Sequence, residues 1–156
     1  MLIREAAEAE LPEILGLLKD MDGEEGMDSG GALAIWRKMK EYPCYKVFVA
    51  EDNNTLIGTC SLIVIDNLGH KGAKLAVAES MIVSPGFRGL GVGSRLMRFV
   101  MERAKEENCY KLMLSSNKKR IPAHRFYERL GFEQHGISFM IALNEPLEQE
   151  QEFPGY

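Results

Sequence analysis

The stretch Phe87-Arg88-Gly89-Leu90-Gly91-Val92-Gly93-Ser94 sets three alternating glycines beside an arginine. It lies where an apolar, β-rich run gives way to an amphipathic one. The first turn of a helix has unpaired N–H groups and a partial positive charge. Glycines let an anion approach those donors closely, and Arg88 adds a planar cationic fork. This chemistry suits a phosphate, and a diphosphate better. The competing reading is a merely tight connection. The run lacks Gly-Lys-Ser/Thr, so no lysine is set for a γ-phosphate. It also departs from G-x-G-x-x-G after the first strand of a parallel unit, the dinucleotide pattern. What remains is a ligand whose diphosphate sits on the loop while its other parts lie elsewhere.

Such a loop must be held by the elements around it. Leu75 to Val83 reads as a long strand entering the loop, broken by Pro85. After the loop, Leu96, Met97, Val100, Met101 and Ala104 form a helical stripe with Arg95, Arg98, Glu102 and Arg103 outside it. Upstream, "LIR" opens a strand, and Leu11, Ile14, Leu15 and Leu18 mark a helix over about Glu8 to Met21, with Pro12 early. The segment "KDMDGEEGMDSGG" reads as a mobile acidic loop, and a short helix follows over Ala32 to Lys40. Tyr45–Ala50 and Thr55–Asp66 read as a hairpin around "DNN". Downstream, "YKLMLS" is a strand. "PAHRFYERLGF" is a helix with Pro122 in its first turn and Gly131 as its C-cap. A last strand is expected near Ser138 to Leu143. The order implies an α/β (α+β) fold, a mixed sheet flanked by helices. Residues 1–143 form a single domain in this reading, and 144–156 are a loose acidic tail.

Composition narrows the function classes. The 156-residue chain is 46% hydrophobic and 27% charged, with a formal net charge of −4. That balance argues against general nucleic-acid binding, which needs a basic face. Cys44, Cys60 and Cys109 lie far apart without a CxxC pair, and so read as reduced thiols in a cytoplasmic protein. His70 and His135 sit near glycines without metal-ligand spacing, so no metal is expected. No apolar run approaches the roughly 18 residues of a membrane span, and no signal-peptide pattern opens the chain.

Arg88-x-x-Gly91-x-Gly93, following "AESMIVSPGF" and preceding an amphipathic helix, resembles the acyl-coenzyme-A loop of the GNAT superfamily of N-acetyltransferases. "AHRFYERLGF" (Ala123 to Phe132) resembles that family's next helix, and "IREAAEAELPEILGLL" its first strand and helix. The resemblance covers about residues 2 to 143. It implies a mostly antiparallel central sheet with helices on both faces. It also implies acetyl-CoA as co-substrate, with a small-molecule amine or a peptide as acceptor. Homodimers are common in the family. The implied coenzyme contacts are Arg88, Gly89, Leu90, Gly91, Val92, Gly93 and Ser94, with the backbones of Met81, Ile82 and Val83 pairing with the pantetheine arm like an added strand.

Transfer of acetyl to an amine needs a deprotonated amine, a polarised carbonyl and a protonated leaving thiolate. An alkylamine titrates near about 10, so only about one molecule in a thousand is nucleophilic at neutral pH. The resemblance assigns the acid to Tyr127, whose phenol would protonate the thiolate; packing in the core is its other reading. Glu79 is the candidate base. Strand alternation places it with Val77, Met81 and Val83, and a carboxylate among apolar neighbours has a raised pKa; a structural carboxylate is its other reading. Asn117 is a further coenzyme contact, although the family's asparagine stands nearer the tyrosine than it does here, where Lys118–Pro122 intervene. Lys118, Lys119 and Arg120 form a basic turn, either solvated or facing the 3′-phosphate, and His124 lies one turn before Tyr127. The acids of "KDMDGEEGMDSGG" point to a cationic acceptor. Two readings from other classes stay open: a non-catalytic coenzyme-binding module, and a nucleotide-binding regulatory domain.

Overall fold

The computed structural model describes residues 1–22 and 27–140. Strand β1 (Leu2–Glu5) leads through a short 3-10 turn into helix α1 (Leu11–Asp22), followed by α2 (Ser29–Glu41). Strands β2 (Tyr45–Asp52), β3 (Thr55–Ile65) and β4 (Lys74–Val83) come next, then α3 (Val92–Glu106), β5 (Cys109–Met113) and α4 (Ile121–Arg129). The sheet order is β1-β2-β3-β4-β5. The first four strands pair antiparallel and only β4 with β5 parallel. The mixed, mostly antiparallel sheet expected from the sequence is therefore present.

Alternation along the strands divides the core between two layers. Phe48, Cys60, Leu62, Ala76 and Ala78 meet Leu96, Met97, Val100 and Ala104 of α3 on one face. Val47, Val49 and Leu56 meet Ile14 and Leu17 of α1 and Trp36 of α2 on the other. The helices follow from their apolar stripes, and the ends of α2 from its caps. Asp28 Oδ1 accepts from the Gly30 and Gly31 N–H groups at 2.9 and 3.0 Å, so α2 starts earlier than its apolar stripe. Arg4 ties the sheet edge together, donating to Glu51 Oε2 from Nε at 3.0 Å and to Glu10 Oε1 from Nη2 at 2.6 Å.

Two expectations about strands change. β5 stops at Met113, short of the full "YKLMLS" run, because its parallel pairing with β4 ends at Val77↔Met113. Ser138–Met140 are not in a strand, and residues 141–143 lie outside the described residues. So do Glu24, Glu25 and the tail from 144 to 156. Asp28 belongs to the α2 cap rather than to a free acidic loop.

Candidate active site

The site is built on a departure from regular pairing in β4. On its β3 side the register runs Ser61↔Glu79 and then Thr59↔Ile82, so Cys60 alone opposes Ser80 and Met81. Ser80 takes up the extra length with φ 52, a left-handed conformation uncommon away from glycine. The bulge reverses the phase of the strand. Ala76 and Ala78 face α3 before it; after it Met81 packs against the α3 cluster, while Ile82 enters the α1–α2 cluster. Glu79 therefore does not share a face with Met81 and Val83, contrary to simple alternation. Glu79 is exposed, without the apolar enclosure expected of it.

On its other side β4 loses its partner. It pairs with β5 only over Lys74–Val77, so the β5-facing backbone from the bulge to Val83 is unpaired. Ser84 N–H donates to Ile57 O at 2.9 Å, toward β3. By alternation the polar backbone groups of Val83 and Met81 then face the open side, and those of Ile82 face β3. The Val83 carbonyl already accepts from Arg88 Nε at 3.0 Å. Arg88 thus binds the end of the strand with one edge of its guanidinium, and the rest of the fork is exposed.

The loop that follows requires two of its glycines for backbone reasons. Gly89 and Gly91 have φ of +79° and +81°, and a Cβ on either would meet nothing within 4 Å. Gly91 is the N-cap of α3 and offers no side chain to its first turn, which holds no acidic residue. The amides of Val92, Gly93 and Ser94 are thus the uncapped donors of a helix start. Gly93 is required for another reason. A Cβ there would lie 3.3 Å from Phe126 Cζ and 3.4 Å from Met81 Cε, so the residue lets α3 close against α4 and β4. Leu90 points to solvent and Val92 is buried with Ala50 and Ile57.

Tyr127 on α4 packs against the α3-side cluster, edge-to-face with Phe126 at 5.0 Å and Phe132 at 5.8 Å. Polar groups around it on α4 bond elsewhere, Glu128 with Gln134 and His124 Nε2 with Asn117 O, and no partner for its hydroxyl is found among the described residues. Burial pushes the phenol up, with Cys60 and the Glu79 carboxylate adding to the rise and Arg120 opposing it. It therefore stays protonated at neutral pH, the state an acid needs.

Asn117 is committed to the turn before α4. Its Oδ1 accepts from Lys119 N–H at 3.0 Å and its carbonyl from Arg120 N–H at 2.9 Å, leaving the Nδ2 group for a ligand. Lys118, Lys119 and Arg120 are exposed around it. Among the described residues no group of three or more His, Cys, Asp or Glu could hold a metal, and no helix is long and apolar enough to cross a membrane. Cys44, Cys60 and Cys109 are unpaired. Burial, aided by Glu79, pushes the Cys60 thiol up to about 12, which removes it as a nucleophile. The Gly-rich stretch stands at the start of α3 and Tyr127 lies on α4, the positions that sequence reasoning gave them. That reasoning missed the bulge at Ser80, which no glycine announces, and the buried hydroxyl of Ser116 at the end of "LMLSS".

Residues 11–132 match the model of the acetyltransferase (GNAT) family. The chain is 33% identical over 90 residues to glucosamine 6-phosphate N-acetyltransferase of Trypanosoma brucei brucei, covering 58% of this chain and 59% of that one. It is 34% identical over 91 residues to aminoalkylphosphonate N-acetyltransferase of Salmonella typhimurium, covering 58% of each. The match thus spans about three fifths of the length of these relatives. Among solved structures, a putative acetyltransferase from Agrobacterium tumefaciens superposes with a TM-score of 0.87 at 29% identity, over 91% of this chain and 99% of that one. A protein described as a transcriptional regulator from Bacillus halodurans does so with a TM-score of 0.84 at 27% identity, over 90% and 98%.

Proposed function

We propose, because the chain belongs to the acetyltransferase (GNAT) family, that it transfers acetyl from acetyl-coenzyme A to the amine of a small molecule by direct attack on the thioester. The observation that carries this reading is the continuity of two unpaired donor surfaces. The open edge of β4 at Met81 and Val83 leads into the uncapped amides of Val92, Gly93 and Ser94. An extended amide-bearing arm ending in a diphosphate has the shape and polarity to use both. The edge would pair with the arm as an added strand, and the helix start with the diphosphate. Arg88 would add charge to the phosphate end while fixing the strand terminus.

The chemistry then falls to few groups. The amine nitrogen attacks the acetyl carbon, the C–S bond breaks, and the electron pair passes to sulfur. Tyr127 supplies the proton that sulfur takes, its phenol held neutral by burial. Glu79 stands exposed on the opposite face of β4 at the bulge, where it can receive the amine's proton directly or through water.

The acceptor is the finer question. The two relatives named above carry the names of enzymes for small amines that bear a phosphate or phosphonate group, which favours a compact primary amine over a protein substrate. The cationic acceptor suggested by the acidic segment loses one of its groups, since Asp28 is the α2 cap. A second reading, a coenzyme-binding regulatory module without turnover, draws on the likeness to the Bacillus halodurans protein. Release of free thiol from acetyl-coenzyme A, measured against glucosamine 6-phosphate, aminoalkylphosphonates, aminoglycosides and short peptides, tests both. Amine-dependent release supports the enzyme. Tight coenzyme binding without release for any amine supports the module.

A further inference from the structure

The acceptor has to meet Glu79 on one face of the sheet, and strand register identifies which. Tyr127 packs with the α3-side cluster. Glu79 points the other way. It pairs directly with Ser61, and Ser61 with Val47, which is buried among residues of α1 and α2. Side chains directly opposite one another in a sheet share a face, so Val47, Ser61 and Glu79 form one row. The next row on that face is Tyr45, Ile63 and Val77. There the helices leave the sheet partly open: Ile63 and Val77 are half-buried, and Ile65 beyond them is 44% exposed. Tyr45 is half-buried too, with the Tyr42 ring edge-on at 6.0 Å. Burial pushes its phenol up and the Glu79 carboxylate adds to the rise, so the two groups lie within electrostatic reach of each other. Neither has a hydrogen-bond or ion-pair partner among the described residues. The lysines nearest that end of β2, Lys40 and Lys46, both turn to Glu5, at 2.7 and 3.9 Å.

We propose that Tyr45 is a specificity-determining residue for the acceptor, its phenol hydrogen-bonding a hydroxyl carried a few bonds from the amine that meets Glu79. This rests on the acetyl-transfer reading above. Two strands and two residues separate Tyr45 from Glu79, about 12 Å between their α-carbons in a regular sheet. Side chains reaching in from both ends shorten that gap to the length of a small molecule. The carboxylate of Glu79 suits an ammonium group, whereas a phenol donates and accepts without charge and so suits a neutral hydroxyl. Ile63 and Val77 lie between the two and give the acceptor's carbon chain an apolar floor. A site that bonds a substrate hydroxyl discriminates against an analogue lacking it, because the protein's own polar group is then left unpaired.

Two amines of equal size provide the test. Propanolamine and butylamine differ only in a terminal hydroxyl against a methyl. Their acetylation by the full-length chain is followed through release of free thiol, for wild type and for Tyr45→Phe, which keeps the ring and removes the phenol oxygen. The ratio of kcat/KM for propanolamine to that for butylamine is expected to fall about tenfold in the variant, equivalent to 1.4 kcal/mol. The fall should appear chiefly as a higher KM for propanolamine. The different basicity of the two amines cancels in this comparison, and general damage to the fold lowers both rates together without moving the ratio. An equal ratio in wild type and Tyr45→Phe overturns the proposal. So does a wild-type protein that acetylates glucosamine 6-phosphate or an aminoalkylphosphonate but neither probe. Failure of the acetyl-transfer reading looks different: wild type then releases no thiol with any amine, and both ideas fall.

Discussion

Gly91→Glu and Gly91→Gln together isolate what the loop does to an anion. Both variants force a side chain onto a backbone at φ +81°, and in both the new Cβ meets nothing within 4 Å. They share one cost, a left-handed residue at about 1–2 kcal/mol, or a melting temperature lower by about 2–8 °C at 2–4 °C per kcal/mol. They differ only in charge. At about 5 Å, each charge of a bound diphosphate repels a carboxylate by about 1 kcal/mol in water and about 3 kcal/mol at an effective dielectric of roughly 20. With two such charges, the glutamate variant should bind acetyl-coenzyme A at least about tenfold more weakly than the glutamine variant, taking 1.4 kcal/mol as tenfold. Calorimetric titration at low and high salt measures this, and the gap should narrow as salt rises. Equal affinities for the two variants, at equal melting temperatures, would refute the placement of the diphosphate on α3's first turn.

Tyr127→Phe should lower kcat by roughly 10²–10⁴-fold with coenzyme affinity retained, measured by steady-state kinetics alongside calorimetry. The same variant has a signature in stability. The folded phenol is pushed up, first by burial and then by Cys60, so its contribution is fully present below the ordinary tyrosine pKa near about 10 and is lost as pH rises through the folded value. Tyr127→Phe should accordingly show a smaller alkaline loss of stability in denaturant titrations. Gly93→Val should destabilise by about 1–3 kcal/mol through overpacking against Phe126 and Met81, read as a lower thermal midpoint. Asp28→Ala should cost about 1 kcal/mol as the α2 cap is lost, while Asp28→Asn should retain most of it in the same melts.

Local chemistry made the loop legible. Gly89 and Gly91 announce left-handed backbone, and the apolar stripe after them announces α3. The Phe126–Tyr127 pair and Gly131 similarly marked α4 and its end, where Gly131 has φ +94°. The face of Glu79 was not legible. Alternation assumes an uninterrupted pleat, and the bulge at Ser80 is imposed by pairing with β3 through a residue whose type does not signal it. The opening between β4 and β5 escaped residue-by-residue reading for the same reason, since register is a property of two strands. Asn117 shows the reverse. Its type suited a ligand contact, yet a local turn took its Oδ1, and the unpaired buried group proved to be its neighbour Ser116. The start of α2 depended on Asp28, which composition had grouped with an acidic loop.

Direct attack of an amine on the thioester is the central claim, and the thiols of the protein make it testable. Cys60 is fully buried with its thiol pushed up to about 12, and burial raises Cys44 and Cys109 as well. Acetyl-coenzyme A carrying isotopic label in the acetyl group, quenched during turnover with an active amine and analysed by mass spectrometry, follows the group directly. The account predicts label on the acceptor nitrogen, free coenzyme A in equal amount, and unlabelled protein at every time point. Label accumulating on the protein before the acceptor, or coenzyme release without acetylated amine, would contradict it.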